Sequence, residues 1–143
     1  MTALSEIIEA LRSARSIFIT THVVPDGDAV GSLLGMKLAL ESLGKQCEAG
    51  LSDPVPPSLR FLPGSTGVRS GKCGVTERYD LALVLDCGSL DRVGQCVETV
   101  EACPVSVSID HHATNTRFAS INWVDAEAAA TCQLVAEIGR AHV

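Results

Sequence analysis

The stretch Ile17 to Ser32, IFITTHVVPDGDAVGS, decides the fold. Its first five residues, Ile17 to Thr21, have the length and the β-branched and aromatic enrichment of a buried strand. His22 follows directly, then Pro25, then Asp26 and Asp28 on either side of Gly27. From Ala29 to Gly44, AVGSLLGMKLALESLG reads as a helix that closes on its last glycine. A strand whose carboxyl end runs through a short loop into a helix is where open α/β sheets place their ligands. This one carries an imidazole and two carboxylates at that edge.

The spacing of those groups points to a cation. Pro25 stiffens the turn, and Asp26 and Asp28 stand at i and i+2 across a glycine, so a curled loop brings both side chains toward one point. Two carboxylates held that close repel, and one takes up a proton unless a cation lies between them. A mixed oxygen and imidazole set suits manganese, iron, cobalt or zinc better than calcium, which prefers oxygen alone. The plainer alternative is an aspartate N-cap beside a surface histidine. Gly31 and Gly35 each cost about 1 kcal/mol inside a helix relative to alanine. Position 31 reads as access for a ligand to the first turn, and position 35 as close packing on the sheet.

Outward from this unit, Ser5 to Ala14 forms an amphipathic helix with Ile7, Ile8 and Leu11 on one side. Lys45 to Ala49 is a short strand, and the proline- and glycine-broken stretch from Ser52 to Gly74 is loop, with one helical turn at Ser58 to Leu62. Tyr79 to Leu85, YDLALVL, is apolar enough for the middle of a sheet. It ends at Asp86, in LDCGSLDRVG, where Gly88 permits a tight turn and Ser89 can cap Leu90 to Val93. Val105 to Ile109 is a further strand that ends in Asp110-His111-His112, three residues after which stands Asn115, a possible amide donor. Adjacent side chains point apart, so these three cannot all hold one ion; one histidine binds while the aspartate orients it or the other histidine meets substrate. Phe118 to Trp123 reads as the last strand, and Asp125 as the cap of a helix over Ala126 to Gly139. The expected fold is therefore α/β: a doubly wound, mostly parallel sheet flanked by helices. Three strand ends bring His22, Asp26, Asp28, Asp86, Asp110, His111 and His112 to one edge of it.

At 143 residues the chain has room for one domain with a real core. A formal net charge of −6, with 11 basic residues, argues against a broad footprint for duplex nucleic acid, though not against a short phosphorylated ligand. The N-terminus does not read as a signal peptide, and no stretch approaches the roughly 20 apolar residues of a membrane span. Six cysteines form no C-x-x-C pair, and several fall in apolar runs. They read as free, mostly buried thiols in a reducing, cytoplasmic setting.

Together THVVPDGDAVGS, LDCGS and IDHHATN resemble the DHH phosphoesterase superfamily, over about Glu6 to Arg140. The wording of the first motif is most similar to the bacterial enzymes that degrade very short RNAs and dephosphorylate 3′-phosphoadenosine 5′-phosphate. The resemblance implies an N-terminal domain with two manganese ions, for which magnesium or cobalt could stand in. It implies His22 and Asp26 on the first metal, Asp28 and His111 on the second, and Asp86 bridging them. Asp110 would support from behind and His112 would contact the scissile phosphate, while Ser32 and Asn115 match as neighbours with looser substrate-side roles. In this family the strand after the helix read at Ala126 to Gly139 ends in another metal-binding aspartate, and a smaller substrate-gripping domain follows. The chain stops at Val143, so the sheet is expected to be incomplete at its C-terminal side, with a longer protein or a second subunit, as in a homodimer, completing the site. The implied substrates are short single-stranded RNA or a small phosphorylated nucleotide. Pyrophosphate, polyphosphate and cyclic dinucleotides, handled elsewhere in the superfamily, are the alternatives, as is an inactive domain that binds nucleotide or protein. No G-x-G-x-x-G follows the first strand, which removes a dinucleotide-binding fold.

Overall fold

A computed structural model describes residues 2–71 and 78–141. Six strands form one sheet in the order β3-β2-β1-β4-β5-β6, and every pairing is parallel. They are β1 (Ser16–Thr20), β2 (Gln46–Leu51), β3 (Arg69–Ser70), β4 (Leu81–Leu85), β5 (Val105–Asp110) and β6 (Ile121–Val124), joined with α1 (Ala3–Ser13), α2 (Gly27–Ser42), α3 (Val97–Ala102) and α4 (Thr131–Arg140). The doubly wound α/β class expected from the sequence is the one observed.

Period-two alternation explains how the sheet is covered. On β1 and β4, Ile17, Ile19, Leu81, Leu83 and Leu85 enter one apolar cluster with Ile7 and Leu11 of α1, Leu33 of α2 and Leu134 and Ile138 of α4. The intervening Phe18, Ala82 and Val84 enter a second cluster with Val93, Cys96 and Val100. Both faces are therefore closed, which is why these strands are apolar without interruption. The order of strand addition reverses at β1, with β2 and β3 added on one side of it and β4, β5 and β6 on the other. The C-terminal ends of β1 and β4 thus flank a topological switch point, the place where such sheets open a crevice.

Several boundaries differ from expectation for identifiable reasons. Helix α2 starts at Gly27, not Ala29, because Asp26 caps it by accepting from the Ala29 amide at 2.9 Å. The long loop carries two 3-10 turns, Pro57–Leu59 and Ser65–Gly67, and the two-residue β3; the end of that loop, residues 72–74, lies outside the described residues. A 3-10 stretch, Leu90–Cys96, leads into α3, a short helix that periodicity did not flag. The last helix begins at Thr131, five residues later than expected. Asp125 does not cap it; its carboxylate accepts from Glu127 in a local turn. Gly31 also reads differently, since a Cβ there would lie 3.3 Å from Cys132 Sγ, so it serves the approach of α4 and not ligand access.

Among the described residues Cys47, Cys87, Cys96, Cys103 and Cys132 form no disulfide, two of them being buried and Cys132 exposed; Cys73 lies outside those residues. Burial pushes the Cys47, Cys87 and Cys103 thiols up to about 11, which keeps them protonated and poorly reactive. Among the same residues no helix is long and apolar enough to cross a membrane.

Candidate metal centre

Asp86 is the hub. It lies one residue beyond β4, is 2 % exposed, and adopts a left-handed backbone with φ 54°. Aspartate tolerates that conformation better than most residues, and its amide still donates to Ile109 O at 2.9 Å, holding the turn to β5. The side chain consequently stands upright between the ends of β1 and β5, with its two oxygens facing different partners.

On the first side, His22 Nε2 is 3.5 Å from Asp86 Oδ2 and 3.8 Å from Asp26 Oδ1. His22 Nδ1 lies 2.6 Å from the Val23 carbonyl, a contact that requires the proton there and leaves Nε2 to face the carboxylates. The neighbouring Asp86 carboxylate holds the His22 imidazole above its usual range; burial opposes this, while the Val23 carbonyl and the charge of Asp26 add to it. On the second side, His111 Nε2 is 3.4 Å from Asp86 Oδ1 and 3.5 Å from Asp28 Oδ2.

These separations test the donor set. They exceed ordinary hydrogen-bond lengths, whereas two donors each bound at about 2.1 Å to one ion stand about 3.0–3.4 Å apart at angles between square and tetrahedral. His22, Asp26 and Asp86 offer ligand atoms all within 4.8 Å of one another, as do Asp86, Asp110, His111 and His112. Imidazole nitrogens and carboxylate oxygens converging at a buried hub can coordinate a metal ion.

Asp110 belongs to the scaffold behind the site. It is fully buried, and Oδ1 accepts from the His111 amide at 2.8 Å and pairs with His112 Nδ1 at 2.7 Å. Its Oδ2 accepts from Asn115 Nδ2 at 2.9 Å. Asn115 also donates to Cys87 O at 3.1 Å and accepts from the Arg117 amide at 2.6 Å, tying the two site loops together. Ser32 is buried beside Asp28 Oδ1 at 3.4 Å and Cys132 Sγ at 3.3 Å.

A cleft of about 440 Å³ opens over the hub, walled by His22, Asp26, Asp86, Gly88, Ser89, Arg92, His112, Thr114 and Thr116. Asn115 and Ser32, for which substrate-side roles were expected, are placed beside the cleft's acids and not among these walls. Arg92, Thr114 and Thr116 are wall residues that sequence reasoning passed over; their only signal was adjacency, in LDRVG and in HHATNT. The loop geometry explains the arrangement: Val23 N donates to Arg92 O at 2.7 Å and Thr116 N to Gly88 O at 2.8 Å, so three loops are stitched around one opening.

The other missed contributor is the start of α4. Asp28, in the first turn of α2, accepts from the Thr131 amide at 3.0 Å and the Cys132 amide at 2.9 Å. Burial raises the Asp28 carboxyl, but these backbone bonds, with smaller help from Cys132 Sγ and Asp86, outweigh it and hold it below its usual range. Thr131, fully buried, donates through Oγ1 to Asp86 Oδ1 at 2.9 Å.

Residues 16–142 match the family described as "DHH family, N-terminal domain". The chain is 39% identical over 143 residues to the bifunctional oligoribonuclease and PAP phosphatase NrnA of Thermus thermophilus, covering 96% of this chain and 40% of that protein. It is 26% identical over 134 residues to the same-named Bacillus subtilis protein, covering 94% and 41%. The fold is similar to a crystal structure of an exopolyphosphatase-related protein from Bacteroides fragilis, with a TM-score of 0.87, 28% identity, and coverage of 95% of this chain and 42% of that one. The chain thus spans about two fifths of the length of the curated relatives it matches.

Proposed function

Because this chain belongs to the DHH family, we propose that its cleft is a two-metal phosphoesterase centre acting on short oligoribonucleotides or 3′-phosphoadenosine 5′-phosphate. The observation that carries the reading is the posture of Asp86, with one oxygen facing His22 and Asp26 and the other facing His111 and Asp28. His22, Asp26 and Asp86 would hold one ion, and Asp28, His111 and Asp86 the other, manganese being the cation expected. Divalent ions in such a pair supply Lewis-acid polarisation of a phosphoryl oxygen and acidify water near neutral pH.

The chain's own residues do the remaining work. Asp86 fixes the distance between the two positions. Asp110 holds His112 by Nδ1, so that Nε2 is the nitrogen left to meet a non-bridging phosphate oxygen at the cleft wall. Asn115 braces Asp110, and Ser32 packs beneath Asp28, so both position the centre and neither grips substrate. Arg92, Ser89, Thr114 and Thr116 offer a cation and hydroxyl donors to the rest of a phosphorylated ligand. A ligand with few phosphates, and not a duplex, accords with the acidic balance of the chain.

An inorganic pyrophosphatase or exopolyphosphatase is the second reading, favoured by the name of the Bacteroides fragilis neighbour. Manganese-dependent hydrolysis, offered 3′-phosphoadenosine 5′-phosphate, a short RNA and pyrophosphate side by side, separates the two. Nucleotide turnover that falls to the metal-free blank in Asp86→Ala is the expected result. Pyrophosphate turnover alone transfers the assignment to the second reading.

A further inference from the structure

We propose that Thr131 is a positioning residue that assigns the two oxygens of Asp86 to different metal positions. This rests on the two-metal reading of the cleft. A bridging carboxylate must present one lone pair to each side, yet a carboxylate on a strand-end turn is free to rotate about its terminal torsion, which is broad and roughly two-fold. Something must therefore fix its plane. The hydrogen bond from Thr131 Oγ1 to Oδ1, at 2.9 Å, is shorter than the approach of His22, His111 or His112 to the same carboxylate, which is 3.4 to 3.9 Å. The hydroxyl takes one lone pair of Oδ1 and leaves the other directed to the side of His111 and Asp28. Oδ2 faces His22 Nε2 at 3.5 Å, on the side of His22 and Asp26.

Thr131 is itself rigidly held, which is what a positioning role requires. It is fully buried, and its amide donates to Asp28 Oδ2 at 3.0 Å. One residue thus bonds the hub through its side chain and the neighbouring ligand through its backbone, and both bonds fall on the second metal position. Removing the hydroxyl lets the planar carboxylate turn as one unit, so both oxygens lose their fixed direction, while the backbone cap to Asp28 persists.

Manganese binding by the purified chain, followed by calorimetry and by electron paramagnetic resonance of free ion, tests this without any turnover. Wild type should take up two ions. Thr131→Val should weaken both of them by about 10–100-fold, the range seen when the group orienting a metal ligand is removed. Thr131→Ser, which restores a hydroxyl, should recover both. Asp26→Asn, which alters a group on one side only, should weaken one ion and leave the other. Thr131→Ala carries the same expectation as the valine variant and replaces it should that variant fail to fold. Wild-type affinity for either ion in Thr131→Val, or no recovery in Thr131→Ser, would overturn the inference while leaving the two-metal reading intact. A wild-type chain that binds fewer than two ions would overturn that reading and the inference with it.

Discussion

The two long helices that begin at the site are capped in opposite ways. Helix α2 is capped by its own preceding residue, Asp26, three positions from the amide it accepts. Helix α4 has Ala130 at its N-cap position, which offers no side-chain acceptor, and takes its cap from Asp28, 103 positions away in sequence. The first arrangement is local and would exist in an isolated strand-loop-helix unit. The second exists only when the sheet is assembled, and it makes one carboxylate serve both as helix cap and as candidate metal ligand. A helix end whose amides point at a site acid stabilises that acid's charge, so α4 is electrostatically part of the centre, whereas α2 chiefly delivers residues to it.

The broadest way to break the comparison is to remove the platform beneath both helices. Leu83→Ala, at a fully buried position in the middle of β4, should cost about 2–5 kcal/mol in urea unfolding and weaken both helix seats together. Next comes the loop clamp. Gly94 has φ 60°, and a Cβ there would lie 2.5 Å from Ser52 Oγ and 2.7 Å from Val23 Cγ1. Gly94→Ala should cost about 1–3 kcal/mol and disturb the His22 loop more than α4, read as local loss of amide protection around Val23.

The caps themselves give the sharper contrast. In the metal-free chain Asp28→Ala should cost more than Asp26→Ala, both within the roughly 0.5–2 kcal/mol of lost caps, because the former leaves two amides of α4 without acceptors and the latter one of α2. Hydrogen exchange should place the first loss in α4 and the second in α2. The smallest effect is in acid. Asp28 is held below its usual value of 3.8, so its contribution is complete above that value and is lost as pH falls through the lower folded-state value. Asp28→Asn should flatten the stability profile of the metal-free chain in that window only.

The contrast also marks what the sequence could disclose. The β1–α2 unit was readable because its signals are local: β-branched residues, a proline, an N-capping aspartate and a glycine at the close. The strands β4 and β5 and the acids at their ends were readable by the same token. The start of α4 was not, because Asp125 is a good N-cap by local rules while the true cap arrives through space from Asp28. Thr131 was hidden with it, since a lone threonine inside a supposed helix carries no signal. Ser32 and Asn115 were legible as neighbours of the motifs, but their hydrogen-bond partners are tertiary. Arg92 reaches the cleft through a 3-10 stretch whose bend at Gly94 has no periodicity to detect.

A cap supplied from 103 positions away also bears on the order of events during folding. Closing so long a loop costs chain entropy before any bond repays it, so α4 cannot gain its N-terminal acceptor until β1, α2 and the central strands are in place. The segment from Thr131 to Arg140 is therefore expected to be the last helix to acquire protection. Substitutions at its start should speed unfolding while leaving the folding rate nearly unchanged.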